Sequence, residues 1–170
     1  MPRTRLQCLG VAVLLMAVVL PAGLVSAATV APAAAPMVLY HSVGATNSTN
    51  WAGYAVTGPV GSVTQVKGSW IEPKISGKCP SGFLYASFWV GIDGYSSSTV
   101  EQTGTDSDCQ AGTPTYYAWY EFYPAGSVLI SSMTISPGDV IKAEVSYAKA
   151  TGLFTVSIKD KTTGQSFSTA

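Results

Sequence analysis

The sequence is poor in the residues that most nucleophilic and metal-dependent chemistries need. It has one histidine, His41, and two arginines, Arg3 and Arg5, in 170 residues. His41 falls in a stretch that reads as linker, so no serine–histidine or cysteine–histidine pair is expected in a folded site. Nothing has metal-ligand spacing either, which argues against a zinc enzyme and leaves no cofactor or metal to expect. Charge is sparse. Beyond the first five residues there are seven lysines against nine acids, a net charge of −2, which excludes the basic footprint of a nucleic-acid binder. Cysteine is scarce too: Cys8, Cys79 and Cys109. No second long apolar run follows the first, no internal repeat is visible, and no window after residue 27 has a helical period.

What is present begins with an export signal. Arg3 and Arg5 give a positive start, residues 9–20 are apolar apart from Gly10, Pro21 breaks the run, and Val25-Ser26-Ala27 offers small residues to a signal peptidase. The run is short for a bilayer span, so the reading is a cleaved signal over residues 1–27 rather than a retained anchor. No membrane attachment is expected after cleavage. Residues 28–46, with Ala31-Pro32-Ala33-Ala34-Ala35-Pro36, read as a linker or short pro-segment, and residues 47–170 as one domain. The expected location is extracellular. Cys8 leaves with the signal, and the remaining pair in an exported chain favours a Cys79–Cys109 disulfide over a metal pair.

The domain reads as a series of short strands. Residues 51–56, 63–71, 84–92, 115–123, 128–135, 139–147 and 153–158 are rich in β-branched and aromatic types, and turn signals such as Gly58-Pro59, Ser136-Pro137-Gly138-Asp139 and Thr151-Gly152 separate them. The pattern predicts an all-β antiparallel sandwich or barrel. Strand alternation puts Phe88, Val90 and Ile92 on one face and Trp89, Gly91 and Asp93 on the other; Trp119, Glu121 and Tyr123 likewise share a face. A face of tryptophan, tyrosine and carboxylate fits a groove for an extended polymer. Alternation alone fits a second core face equally well.

Four segments in order, Asn50-Trp51-Ala52-Gly53-Tyr54, Trp89-Val90-Gly91-Ile92-Asp93-Gly94, Gln102-Thr103-Gly104 and Ala118-Trp119-Tyr120-Glu121-Phe122-Tyr123-Pro124, resemble the glutamic peptidases (eqolisins), acid-active endopeptidases. Ile135-Ser136-Pro137-Gly138-Asp139 and Thr162-Thr163-Gly164-Gln165 extend the resemblance to the end of the chain. It implies a bent sandwich of two antiparallel sheets and a monomer acting on protein or peptide. It also implies a catalytic glutamine–glutamate dyad. Gln102 takes the place of that glutamine, while Trp51, Trp89, Asp93, Trp119, Glu121 and Tyr123 take places that line the family's cleft. An amide can hold a water through its oxygen and stabilise an oxyanion through its nitrogen, without titrating at acid pH. The proton must go to a carboxylate. In the family this is a glutamate C-terminal to the segment resembling residues 162–165, and no residue of the chain takes its place. The domain is therefore expected to lack its last strands and half of the dyad, and to be inactive as it stands. Glu121 is the substitute base only if it reaches the same water as Gln102. Glu101, its neighbour in sequence, is expected on the opposite face and in solvent. The competing readings are a non-catalytic peptide- or carbohydrate-binding module and a fragment that does not fold.

Overall fold

The structure is a computed structural model that describes residues 48–170, so the expected signal (1–27), the whole expected linker (28–46) and residue 47 lie outside the described residues. Nine strands follow in chain order: β1 (Gln65–Ile71), β2 (Phe83–Leu84), β3 (Ser87–Asp93), β4 (Val100–Gln110), β5 (Thr113–Tyr123), β6 (Val128–Leu129), β7 (Val140–Ala148), β8 (Leu153–Asp160) and β9 (Ser166–Thr169). They form two antiparallel sheets. One runs β1-β7-β8-β9; the other runs β2-β4-β5-β6, with β3 also pairing β4. This is the all-β, sandwich-like architecture that the strand series predicts.

The alternation of apolar residues explains why the two sheets meet. In the first sheet Trp70, Ile141, Ala143, Val145, Val156, Ile158 and Phe167 point inward, and in the second Val90, Ile92, Ala118, Tyr120 and Phe122 do so. Ile130, Met133 and Ile135, on the segment after β6, complete the core between them. The opposite face of the first sheet carries Lys67, Lys142 and Lys159, with one ion pair from Lys67 to Glu144 at 3.4 Å. Such an exposed pair contributes little. Cys79 and Cys109 form the expected disulfide, with Cα atoms 5.3 Å apart and a sequence separation of 30. It ties the segment after β1 to β4 and, in the chain-entropy view, stabilises the fold by about 3–4 kcal/mol.

Three expectations about strands need correction. Residues 51–56 are not a strand; they form an irregular segment ahead of β1, with no partner strand alongside among the described residues. Within residues 128–135 only Val128–Leu129 is paired, and the rest turns so that Ile130, Met133 and Ile135 can face the core. The third difference matters most: β4, eleven residues long and central to its sheet, was not among the expected strands. Its sequence, Val-Glu-Gln-Thr-Gly-Thr-Asp-Ser-Asp-Cys-Gln, has few strand-favouring side chains. Pairing with β2 and β3 on one side and β5 on the other holds it extended. Propensity measures how a residue fits its neighbours, and here the neighbours decide.

The inner face of β4 is polar, and its hydroxyls at Thr103, Thr105 and Ser107 are all hydrogen-bonded. Trp70 Nε1 donates to Thr105 Oγ1 at 2.9 Å, Thr105 Oγ1 to Glu72 Oε2 at 2.5 Å, and Ser107 Oγ to Glu72 Oε1 at 2.6 Å. Glu72 is buried, and this chain of bonds supplies the partners that a buried carboxylate requires.

Candidate active site

Register assembles the site on the outer face of the second sheet. Residues opposite one another in an antiparallel pair share a face, so β3, β4 and β5 present aligned rows. One row is Trp89–Gly104–Trp119, the next is Gly91–Gln102–Glu121, and on the far side of the first lies Ser87–Asp106–Tyr117. Gln102 is thus the centre of its row, with a glycine on one side and a glutamate on the other. Gln102 Nε2 donates to Glu121 Oε2 at 2.5 Å. The amide nitrogen donates and the carboxyl oxygen accepts, so this bond fixes which end of the amide points toward Glu121. The amide oxygen is left facing away, able to accept from a water.

The tryptophans flank this row. Trp89 is 40% exposed, whereas Trp119 is 7% exposed, with its Nε1 donating to Asp106 Oδ1 at 2.6 Å. Trp51 reaches the site from the irregular segment ahead of β1 and meets Trp89 edge-to-face, ring centres 6.4 Å apart. Asp93 ends β3 with φ 67°, a left-handed conformation that stops the strand alternation there; it is exposed and makes no hydrogen bond to Gln102. Tyr123 ends β5 and is 49% exposed, one row beyond Gln102 through the pair Val100–Tyr123.

Glu101 corrects an expectation. It does face away from Gln102, but it is buried rather than solvated, because the opposite side of β4 is the sandwich interior. Its Oε2 has no hydrogen-bond partner among the described residues. Burial first, and then the charge of Asp93, push its carboxyl above the ordinary 4.5.

Alternation along β4 also brings in residues that sequence reasoning missed. Asp106 and Asp108 follow Gln102 and Gly104 on the same face, and Tyr117 Oη lies 2.8 Å from Asp106 Oδ2 and 2.7 Å from Asp108 Oδ2. The spacing of Gln102, Gly104, Asp106 and Asp108 was visible in the sequence; the strand that gives it meaning was not. Burial is the main cause lifting Asp106 above the ordinary 3.8, opposed by bonds from Ser87, Tyr117 and Trp119, with Asp108 adding to the rise. Burial and the two aspartates push the Tyr117 hydroxyl far upward as well. Among the described residues no group of three or more His, Cys, Asp or Glu is arranged to hold a metal ion.

An antiparallel two-sheet domain with an amide–carboxylate pair set between tryptophans on one outer face is a defined class of site. Residues 49–170 match the peptidase A4 family, and the chain belongs to that family. Aspergillopepsin-2 of Aspergillus niger is 39% identical over 138 residues, 70% of this chain and 48% of its own length. Scytalidopepsin B of Scytalidium lignicola is 35% identical over 136 residues, covering 79% of this chain and 49% of its own. A crystal structure of scytalido-glutamic peptidase with a transition state analog inhibitor superposes with TM-score 0.53 at 34% identity, over 62% of this chain and 48% of that one. The chain thus spans about half the length of the curated relatives it matches.

Proposed function

We propose that this domain carries the glutamine half of an acid-active glutamic endopeptidase and binds an extended peptide across the outer face of β3, β4 and β5. The observation that carries the reading is the Gln102–Glu121 bond at 2.5 Å, in register between two tryptophan-bearing strands. Glu121 holds Gln102 Nε2, so Gln102 Oε1 is the atom that positions the attacking water. Once the carbonyl is attacked, the Nε2 hydrogen not directed at Glu121 can donate to the developing oxyanion. Glu121 acts as a positioning residue in this scheme.

The water's proton goes to a carboxylate, and later returns to the leaving amine. In this scheme Glu121 is spent in holding the amide, so the base is another carboxylate. Peptide binding in acid fits an outer face on which burial lifts the Asp106 carboxyl above its ordinary value. We further infer export, cleavage near Ala27 and action as a monomer outside the cell; the arginine–apolar–small-residue leader and the Cys79–Cys109 disulfide support this.

Tryptophan fluorescence provides the test, because Trp51, Trp89 and Trp119 all border the proposed path. A non-cleavable peptide added at acid pH is expected to change the emission saturably, and Gln102→Ala to weaken binding about tenfold, the loss of one or two charge-assisted or buried hydrogen bonds. Binding of an oligosaccharide with no response to peptides would overturn the proposal in favour of a carbohydrate module. Turnover by the chain that Gln102→Ala abolishes would move the base to Glu121.

A further inference from the structure

The loop between β3 and β4 places one more aromatic ring beside the site. Tyr95 is 52% exposed and meets Trp51 edge-to-face, ring centres 6.4 Å apart and planes at 74°. Trp51 meets Trp89 in the same manner, at 6.4 Å and 70°. Trp51 is therefore the hub of a three-ring corner. Trp89 and Tyr95 both keep a large part of their surface in solvent. Two exposed rings gathered about the half-buried Trp51 make a local apolar patch, the kind of surface that marks a ligand site.

Two of the three rings, those of Trp89 and Tyr95, are held in place before any ligand arrives. Trp89 sits on β3, paired along its length with β4. The Tyr95 loop reverses direction at Asp93 (φ 67°) and Gly94 (φ 83°), and is then closed by Gly94 N donating to Ser97 Oγ at 2.9 Å and Ser97 Oγ to the Thr99 carbonyl at 3.0 Å. A preformed apolar surface binds at a lower entropic cost than one that must be ordered. The corner is also continuous with Gln102. A Cβ placed on Gly91 would lie 3.3 Å from Trp89 Cζ3 and 3.1 Å from Gln102 Cβ, so the Trp89 ring and the Gln102 side chain adjoin over Gly91.

We propose that Trp51, Trp89 and Tyr95 form an apolar subsite that receives one large apolar side chain of a bound peptide close to the bond at Gln102, and that Tyr95 sets the preference for it. The inference rests on the peptide-binding reading above and adds the class of residue selected. A phenylalanine, leucine or similar side chain laid against the exposed surfaces of Trp89 and Tyr95 loses its hydration and gains aromatic contact. A lysine is the competing ligand, since Asp93 lies at the start of the same loop and ring faces attract cations.

The test uses the full chain and a series of non-cleavable peptides in which a single phenylalanine, leucine, lysine or alanine is moved through a fixed alanine–serine background. Tryptophan fluorescence at acid pH gives each Kd. One position is expected at which phenylalanine or leucine binds about tenfold tighter than alanine, the discrimination that an apolar pocket supplies. Tyr95→Ala is expected to cut that ratio to about threefold or less, and Tyr95→Phe to retain it, because the ring and not the hydroxyl makes the surface. Retention of the full preference in Tyr95→Ala, the absence of any such position, or a preference for lysine would each overturn the inference while leaving peptide binding intact. If the unsubstituted chain binds none of the peptides, the peptide-binding reading falls and takes this one with it.

Discussion

Gly104→Ala is expected to destabilise the domain by about 4 kcal/mol or more, at the upper end of single-residue effects. Gly104 lies between Trp89 on β3 and Trp119 on β5, in the row next to Gln102. A methyl group there would collide with the Phe88 carbonyl oxygen and would stand 2.7 Å from Trp89 Cβ and 2.9 Å from Trp89 Cα. Two of these obstacles are backbone atoms, so no change of rotamer relieves them. Either β3 moves off β4, breaking ladder bonds, or the register shifts and carries Trp89 to the wrong face. Small domains have only about 5–15 kcal/mol of stability, so most of the margin would go. A urea or thermal unfolding series measures the loss, and peptide binding should disappear in conditions where the unsubstituted chain is still folded. An unfolding midpoint within about 2 °C of the parent would show that the strands accommodate the methyl and that the close β3–β4 approach is not essential.

The second large effect is on pH. Stability is expected to be greatest in acid and to fall as pH rises from about 4, because two buried carboxyls favour the neutral form in the folded state. Asp106 faces Asp108 on its own strand, Ser87 on β3, and Tyr117 and Trp119 on β5. Tyr117 has one hydroxyl proton and two carboxylate neighbours. It can donate to one; the other contact is a hydrogen bond only if that carboxyl carries its own proton. A protonated Asp106 completes the network. Glu101 lies on the opposite side of β4, with an unpartnered Oε2 and Asp93 nearby.

For both groups the folded-state value lies above the ordinary one. Their stabilisation is therefore fully present below the ordinary values of 3.8 and 4.5, and is lost as pH rises through the folded values. Asp160 has the opposite sign. Burial alone would raise it, but hydrogen bonds from Thr163 and Thr162 outweigh burial and hold it low, so its contribution is lost only as pH falls. Between pH 4 and pH 8 the melting temperature should drop by about 10–15 °C, the scale expected when buried carboxyls are forced to ionise. Asp106→Asn combined with Glu101→Gln should flatten most of that slope. A profile flat from pH 4 to 8, or a double variant with the slope of the parent, would contradict the assignment.

Much of the fold was legible because strand alternation is a local property. Trp89, Gly91 and Asp93 against Phe88, Val90 and Ile92, and Trp119, Glu121 and Tyr123 against Ala118, Tyr120 and Phe122, can be sorted with no knowledge of partners. Pattern failed where a segment's state depends on what lies beside it. Residues 51–56 have strand-like composition but no neighbouring strand, and residues 128–135 give up pairing so that three apolar side chains can enter the core. β4 is the reverse case: polar by composition, it is extended because ladders on both sides satisfy its backbone and because Glu72, Trp70 and Trp119 satisfy its hydroxyls.

Residue type, spacing and a two-residue period made the all-β class, the favoured Cys79–Cys109 disulfide and the two tryptophan-bearing strand faces legible in the sequence, and the resemblance of the ordered motifs to the glutamic peptidases singled out Gln102. Only the tertiary structure decided that Gln102 bonds Glu121, that Glu101 is buried, that Asp106 and Asp108 share Tyr117, and that Tyr95 closes an aromatic corner. Each of those depends on register between strands distant in the chain or on the path of a loop, and a shift of one residue in β4 would exchange its two faces.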